Sequence, residues 1–296
     1  MRSKFRILAS VAAAACLCGA PVGAARGEGG QDGQAGLDKS QYTLFNPTPA
    51  ALMRELSTDR PDTTESAYTV DAGHLQIETS FVDYTRDNDG GGDFDSLSIL
   101  PTNVKLGLTN NMDVQFVFEP WISENFDPDD GSPDEDVSGF GVTQLRLKVN
   151  LWGNDGGDTA LALMPFVQFP TSDDDFGATD KIEGGLIVPF AMSLPREWGL
   201  GLMAEFDAVR DGADEDYELQ FVHTATVGHD IVGDLAGYIE YIGITTTEEG
   251  NGYVSLLGGG LTYGVNENVQ LDCGVNFGLS KEADDFNVFA GVSVRR

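Results

Sequence analysis

Residues 269–279 read VQLDCGVNFGL. Val269, Leu271, Cys273, Val275, Phe277 and Leu279 fall on one side of an extended chain, and Gln270, Asp272, Gly274, Asn276 and Gly278 on the other. Successive side chains of a strand point to opposite faces, so this alternation describes a strand with one apolar and one polar face. TQLRLKVNL (143–151) repeats it, with Leu145, Leu147, Val149 and Leu151 opposite Gln144, Arg146, Lys148 and Asn150. From His74 onward the same period gives twelve candidate strands, at about 73–84, 96–108, 113–123, 140–151, 159–169, 182–193, 198–209, 217–228, 234–245, 252–264, 268–279 and 286–295. Most are about twice as long as the ~5–6 residues usual in globular strands.

The connections alternate in kind. Those after even-numbered strands are short (TNNM, WGNDGG, PRE, HDIVG, NEN), whereas those after odd-numbered strands are acidic (TRDNDGGGDFD, ENFDPDDGSPDEDVSG, TSDDDFGATDK, RDGADEDY, EEGNG, KEADD) and hold half of the 48 acidic residues. An even number of long alternating strands, tight turns at one end and long polar loops at the other define an outer-membrane barrel. Lipid offers no partner to an open sheet edge, so a spanning sheet must close, and a tilted strand needs roughly 9–11 residues to cross. A secreted all-β sandwich also alternates, but nothing in it would sort loops by parity. The expected fold is therefore all-β, a closed antiparallel transmembrane barrel of about twelve strands, covering residues 73–296.

The N-terminal residues fit export. Arg2, Lys4 and Arg6 precede an apolar run to about Ala20 and then small residues, the order of a signal peptide, expected over 1–25. An acylated Cys16 or Cys18 is a weaker alternative. Residues 26–45 are expected to be a disordered linker and 46–72 an N-terminal periplasmic or plug segment. Cys273 is the lone cysteine after residue 25, so disulfides are not expected. A net charge of −31 opposes nucleic-acid binding.

With the polar faces turned inward, the pore-lining candidates are the acids Glu78, Glu119, Glu183, Glu205, Asp207, Glu218, Glu240 and Asp272 and the bases Lys105, Arg146 and Lys148. This excess of acid predicts a cation-preferring lumen; the alternative is acids paired to bases in a closed one. Trp152, Trp198 and Tyr263 near the short-turn ends, and Phe81, Phe169, Tyr217 and Tyr253 near the long-loop ends, are candidate interfacial belts. The loops DDGSPDED and TSDDDFG lack EF-hand spacing, so weak divalent-cation binding is the most expected of them and no metal or cofactor site is assigned. His74, His223 and His229 have no Ser motif beside them, and no catalytic residue is assigned. Gly258, Gly259 and Gly260 precede no helix and suit close approach in a strand.

The stretch STDRPDTTESAYTVDAGHLQIETSF (57–81) resembles the entry signature of an outer-membrane transporter-like family labelled as phenol-degradation (MetA-pathway) proteins. The matching residues are Thr58, Asp59, Arg60, Pro61, Asp62, Thr64, Glu65, Ser66, Gly73, Gln76 and Glu78, with further likeness in PTNVKLGLTNNMDVQ (101–115) and the ending FAGVSVRR. The resemblance spans about residues 46–296. It implies a closed outer-membrane barrel that passes small solutes, among them small hydrophobic or aromatic compounds. The terminal Val294-Arg295-Arg296 departs from the aromatic ending common in barrels. An even strand count puts residues 46–72 at the periplasmic mouth. There Asp59, Arg60, Asp62 and Glu65 could form a gate with Arg60 as its anchor, the plainer alternative being a periplasmic turn. The expected function is a non-enzymatic channel for small solutes, with outer-membrane lipid as its surroundings. A closed structural or adhesion barrel acting through its acidic loops is the alternative, and a barrel enzyme acting on lipids is third.

Overall fold

The computed structural model describes residues 38–88, 91–172, 181–210, 217–247 and 252–296. The expected signal peptide, most of the linker and most of the TSDDDFG loop lie outside those residues.

Fifteen strand segments follow one another: β1 (Leu75–Asp87), β2 (Gly92–Ile99), β3 (Thr102–Thr109), β4 (Met112–Phe118), β5 (Trp121–Pro128), β6 (Glu135–Gly139), β7 (Thr143–Trp152), β8 (Thr159–Phe169), β9 (Glu183–Leu194), β10 (Trp198–Arg210), β11 (Tyr217–Val232), β12 (Leu235–Thr246), β13 (Val254–Asn266), β14 (Val269–Gly278) and β15 (Phe286–Arg295). All neighbours are antiparallel, and β1 pairs with β15 from Gln76↔Arg295 to Arg86↔Phe286, which closes the sheet. Segments β2 and β3, β4 and β5, and β6 and β7 each make one crossing, so the barrel has twelve strands. At its lower seam Leu75 N–H donates to Arg296 O and Arg296 N–H to Leu75 O.

The three divided crossings correct the expectation of continuous strands at 96–108, 113–123 and 140–151. The breaks fall at Leu100-Pro101, Glu119-Pro120 and Phe140–Val142, level with a bulge between Ser80 and Val82 in β1. Proline removes a ladder donor at two of them, and Leu100 takes a left-handed φ of 58°. The chain bridges the breaks locally: Ser80 N–H reaches Pro101 O at 3.1 Å, and Gly141 N–H reaches Glu119 O at 3.0 Å. Above its break, β6 is laddered to β5 alone among the described strands.

The outer face carries exposed Leu145, Leu151, Leu257, Leu261, Leu271, Phe277 and Val288, an apolar band that only lipid can cover. Trp152, Trp198 and Tyr263 lie exposed at the short-turn ends, and Tyr217 and Tyr253 at the other rim. Phe81 differs from expectation: it lies at mid-height, turned out by the bulge. His229 belongs to β11 rather than to a short turn, because β11 runs on to Val232 before the left-handed Gly233 (φ 58°) reverses the chain.

The inner face has two halves. On β1–β7 and β14–β15 it is polar, with Gln76, Glu78, Ser96, Asn103, Lys105, Gln115, Arg146 and Asn287 buried. On β8–β13 it is largely apolar, where Met164, Ile187, Met203, Val222, Ile242, Ile244, Val254 and Leu256 form one cluster. Ala283, from the loop between β14 and β15, packs into that cluster.

Candidate functional site

The lead-in to β1 does not stay below the barrel. Lys39 is buried and pairs with Asp155 at 2.9 Å, and Leu44 N–H donates to Leu108 O. Residues 38–45 therefore hold defined contacts, correcting their expected assignment to a disordered linker. From there the chain passes Arg54, turns within residues 57–66, and returns through Ala72 to β1. Thr58 through Ser66 are all buried.

Two layers of polar contacts fasten it. At the short-turn end, Arg54 donates to Asn110 O (3.0 Å), Asp155 (3.1 Å) and Thr69 O (3.2 Å), and also pairs with Asp71 at 3.3 Å. Arg295, one residue from the chain end, donates to Arg54 O at 2.8 Å and to the Asn268 side chain at 3.0 Å. Its side chain thus ties the closing strand to the base of the lead-in.

The second layer is inside the barrel and is charge-complementary in both directions. Asp59 of the lead-in accepts from Lys148 at 2.6 Å and pairs with Lys105. Glu65 accepts from Arg146 at 2.7 Å. Conversely, Arg60 reaches the wall acid Asp272 at 2.7 Å and the Ser80 hydroxyl at 2.5 Å. Wall carboxylates also take the lead-in's backbone donors: Glu78 accepts from Asp59 N–H at 2.9 Å, and Glu240 from Thr63 N–H at 2.8 Å and Thr64 N–H at 2.7 Å. Burial alone would raise the Asp59 carboxyl, but the two lysines outweigh it and hold the group well below the ordinary carboxylate range. Glycine makes the anchor possible, since a Cβ at Gly291 would meet the Arg60 guanidinium and Thr79 O.

The structure places the other candidates as follows. Glu205 and Asp207 are buried neighbours on the inner face of β10, with Arg146 close to both. Glu119 is buried at the β4–β5 break and accepts from Ser98 Oγ at 3.3 Å. Glu183 lies half-buried near the long-loop rim, accepting from Gln168 at 2.7 Å and from Arg210 N–H at 2.8 Å. Glu218 is half-buried near the same rim and accepts from the Thr247 hydroxyl. Lys105, Arg146, Lys148, Glu78, Glu240, Asp272, Asp59, Arg60 and Glu65 thus converge on one level of the lumen. Asp62 lies there too, but Arg60 bonds to neither Asp59 nor Asp62, its sequence neighbours.

Sequence reasoning missed the apolar inner wall, although the mark was there: in LALMPFV and YIGI the alternation fails and both faces are apolar. It also missed Arg54 and Arg295. Among the described residues, no set of three or more His, Cys, Asp or Glu is arranged to hold a metal ion. His223 faces lipid, its Nε2 3.1 Å from the Tyr253 hydroxyl, and Cys273 is exposed on the same outer face.

A closed twelve-stranded barrel with a lipid-facing belt is an outer-membrane protein. The chain belongs to the family described as "Putative MetA-pathway of phenol degradation", whose model matches residues 58–295. No curated protein sequence matches the chain. Among solved structures it resembles the COG4313 outer membrane channel from Pseudomonas putida F1, with 12% identity over 81% of this chain and 100% of that one and a TM-score of 0.60. Looser likenesses include the NanC porin (9% identity, 74% of this chain and 98% of that one, TM-score 0.48) and the CymD monoaromatic hydrocarbon channel (8% identity, 75% and 87%, TM-score 0.43).

Proposed function

We propose that the protein is a non-enzymatic, gated channel for small solutes, in which residues 46–72 are a plug that must shift for passage. The observation that carries this is the fastening of residues 57–66 through side-chain ion pairs and carboxylate-to-N–H bonds. A segment built only to fill space would be packed with apolar groups. One held by exchangeable polar contacts can be released into water, where each partner is resolvated.

Two features favour particular solutes. The strand bases facing the interior, Lys105, Arg146 and Lys148, meet acids of the plug, while Glu119, Glu205 and Asp207 lie on the wall beyond them. Displacing the plug would leave an acidic path that prefers cations. Beside Glu205 and Asp207, the rest of the inner face of β8–β13 is largely apolar, which suits solutes with a hydrophobic or aromatic body. Passage of small hydrophobic or aromatic compounds is therefore the finer form of the proposal.

A disulfide lock tests plug movement. The Thr64 and Thr224 hydroxyls lie 2.6 Å apart, so Thr64→Cys with Thr224→Cys joins plug to wall. Ion current through the oxidised pair is expected to fall to background and to return on reduction. Equal currents in the oxidised and reduced states would rule out passage by plug displacement.

A further inference from the structure

Four strands lie side by side at the level of Arg146. The ladder pairs Arg146 of β7 with Phe166 of β8, Phe166 with Gly185 of β9, and Gly185 with Asp207 of β10, so these four residues form one inward row. A base stands at one end of the row and an acid at the other. Between them the wall is low, because Gly185 has no side chain: a Cβ there would meet Asp207 Oδ1 and the edge of the Phe166 ring. The Asp207 carboxylate thus lies over β9, on the side facing Arg146.

That carboxylate is incompletely matched. Gln220, its ladder neighbour on β11, and Glu205 lie against it, yet Oδ1 itself is buried without a hydrogen-bond donor. Glu205 has no base beside it on the ladder either, since its neighbours there are Ile187 and Val222, both buried and apolar. Arg146 is the base whose charge acts on both acids. With the plug in place, its Nη1 donates to Glu65 at 2.7 Å, and its Nε and Nη2 donate to Gln144 at 2.9 and 2.6 Å. Buried acceptors in native proteins are nearly always given a donor. One left without, in the same row as a guanidinium that a movable segment holds, marks a second seat for that guanidinium.

We infer that Arg146 exchanges Glu65 for Asp207 when the plug leaves, and that the resulting pair sets the ion preference of the open lumen. The exchange rests on plug displacement as proposed above. In its second seat the guanidinium lies along the wall over Gly185, beside the Phe166 ring, whose face attracts a cation. There it meets a carboxylate, the partner that the forked geometry of arginine suits best. A positive charge that would otherwise project into the path is cancelled, and Glu205 remains as an acid for passing cations to meet.

Two measurements on the full chain purified from outer membranes test this. Glu65→Ala removes the plug's acceptor without removing the plug, and its crystal structure is expected to show the Arg146 guanidinium about 3 Å from Asp207 Oδ1. A guanidinium still on Gln144, with Asp207 Oδ1 unmet, would overturn the inference. No current enters that readout, so it stands or falls apart from the channel itself. The second measurement is the reversal potential of the open steps in a salt gradient. Asp207→Asn is expected to lose the cation preference, because Arg146 is then uncancelled, and Arg146→Gln added to it is expected to restore that preference. A preference unchanged by Asp207→Asn, or lost equally with and without Arg146, would overturn the role in selectivity. A folded chain that never opens would refute the channel reading and that role together, and the crystal structure would still decide the exchange.

Discussion

Removing the Arg60 guanidinium would leave Asp272 as a buried carboxylate without its partner, and that loss is the costly kind: breaking a buried pair from one side costs roughly 3–5 kcal/mol. Arg60→Gln is therefore expected to loosen residues 57–66 while leaving the barrel ladders intact, seen as faster amide exchange confined to that segment. Gly291→Ala should act in the same direction without touching any charge, because its new methyl would meet both the guanidinium and Thr79 O. Unchanged exchange in both variants would mean that Arg60 is not what holds the segment. The inward orientation of Asp272, Lys105 and Arg146 could be read from alternation alone, since the period of two assigns a face to each residue. Their partners could not. Arg60 and Asp272 are 212 residues apart, and only closure of the β1–β15 seam brings their levels together.

Among the elements, the loop between β14 and β15 bends inward, so that Ala283 joins the apolar wall and Asp284 is buried. Burial, with the charges of Asp87 and Asp285 adding to it, raises the Asp284 carboxyl to about 7. An outward loop would return Asp284 to its ordinary value, near 3.9. The inward position is thus fully favoured below about pH 4 and loses that advantage as the pH rises through 7. A spin label at Lys281→Cys, with Cys273 replaced by serine, is expected to be more mobile at pH 8 than at pH 5. Asp284→Asn should abolish the difference; a pH response that survives it would assign the titration elsewhere. Element boundaries were legible in part. Twelve crossings and the parity of their connections follow from periodicity and turn residues, and Pro101 and Pro120 are visible breakers. That they align with the Ser80–Val82 bulge at a single height is a matter of inter-strand register, which a linear pattern does not carry.

At the scale of the whole molecule, lipid faces one side of the sheet, and residues 57–66 with the β14–β15 loop occupy the other, so the same twelve strands serve as membrane anchor and container. The outer band was legible because lipid accepts only apolar side chains. The inner face was harder, because the lumen accepts both the polar set of β1–β7 and the apolar set of β8–β13. The central claim, that residues 46–72 close an otherwise passable barrel, is tested most directly by single-channel current in a planar bilayer for the intact chain and for a variant lacking those residues. Small or rare steps from the intact chain, becoming large, discrete and cation-selective in the shortened one, are the predicted result. A shortened variant that runs as a folded, heat-modifiable barrel yet passes no more current than the intact chain would contradict it.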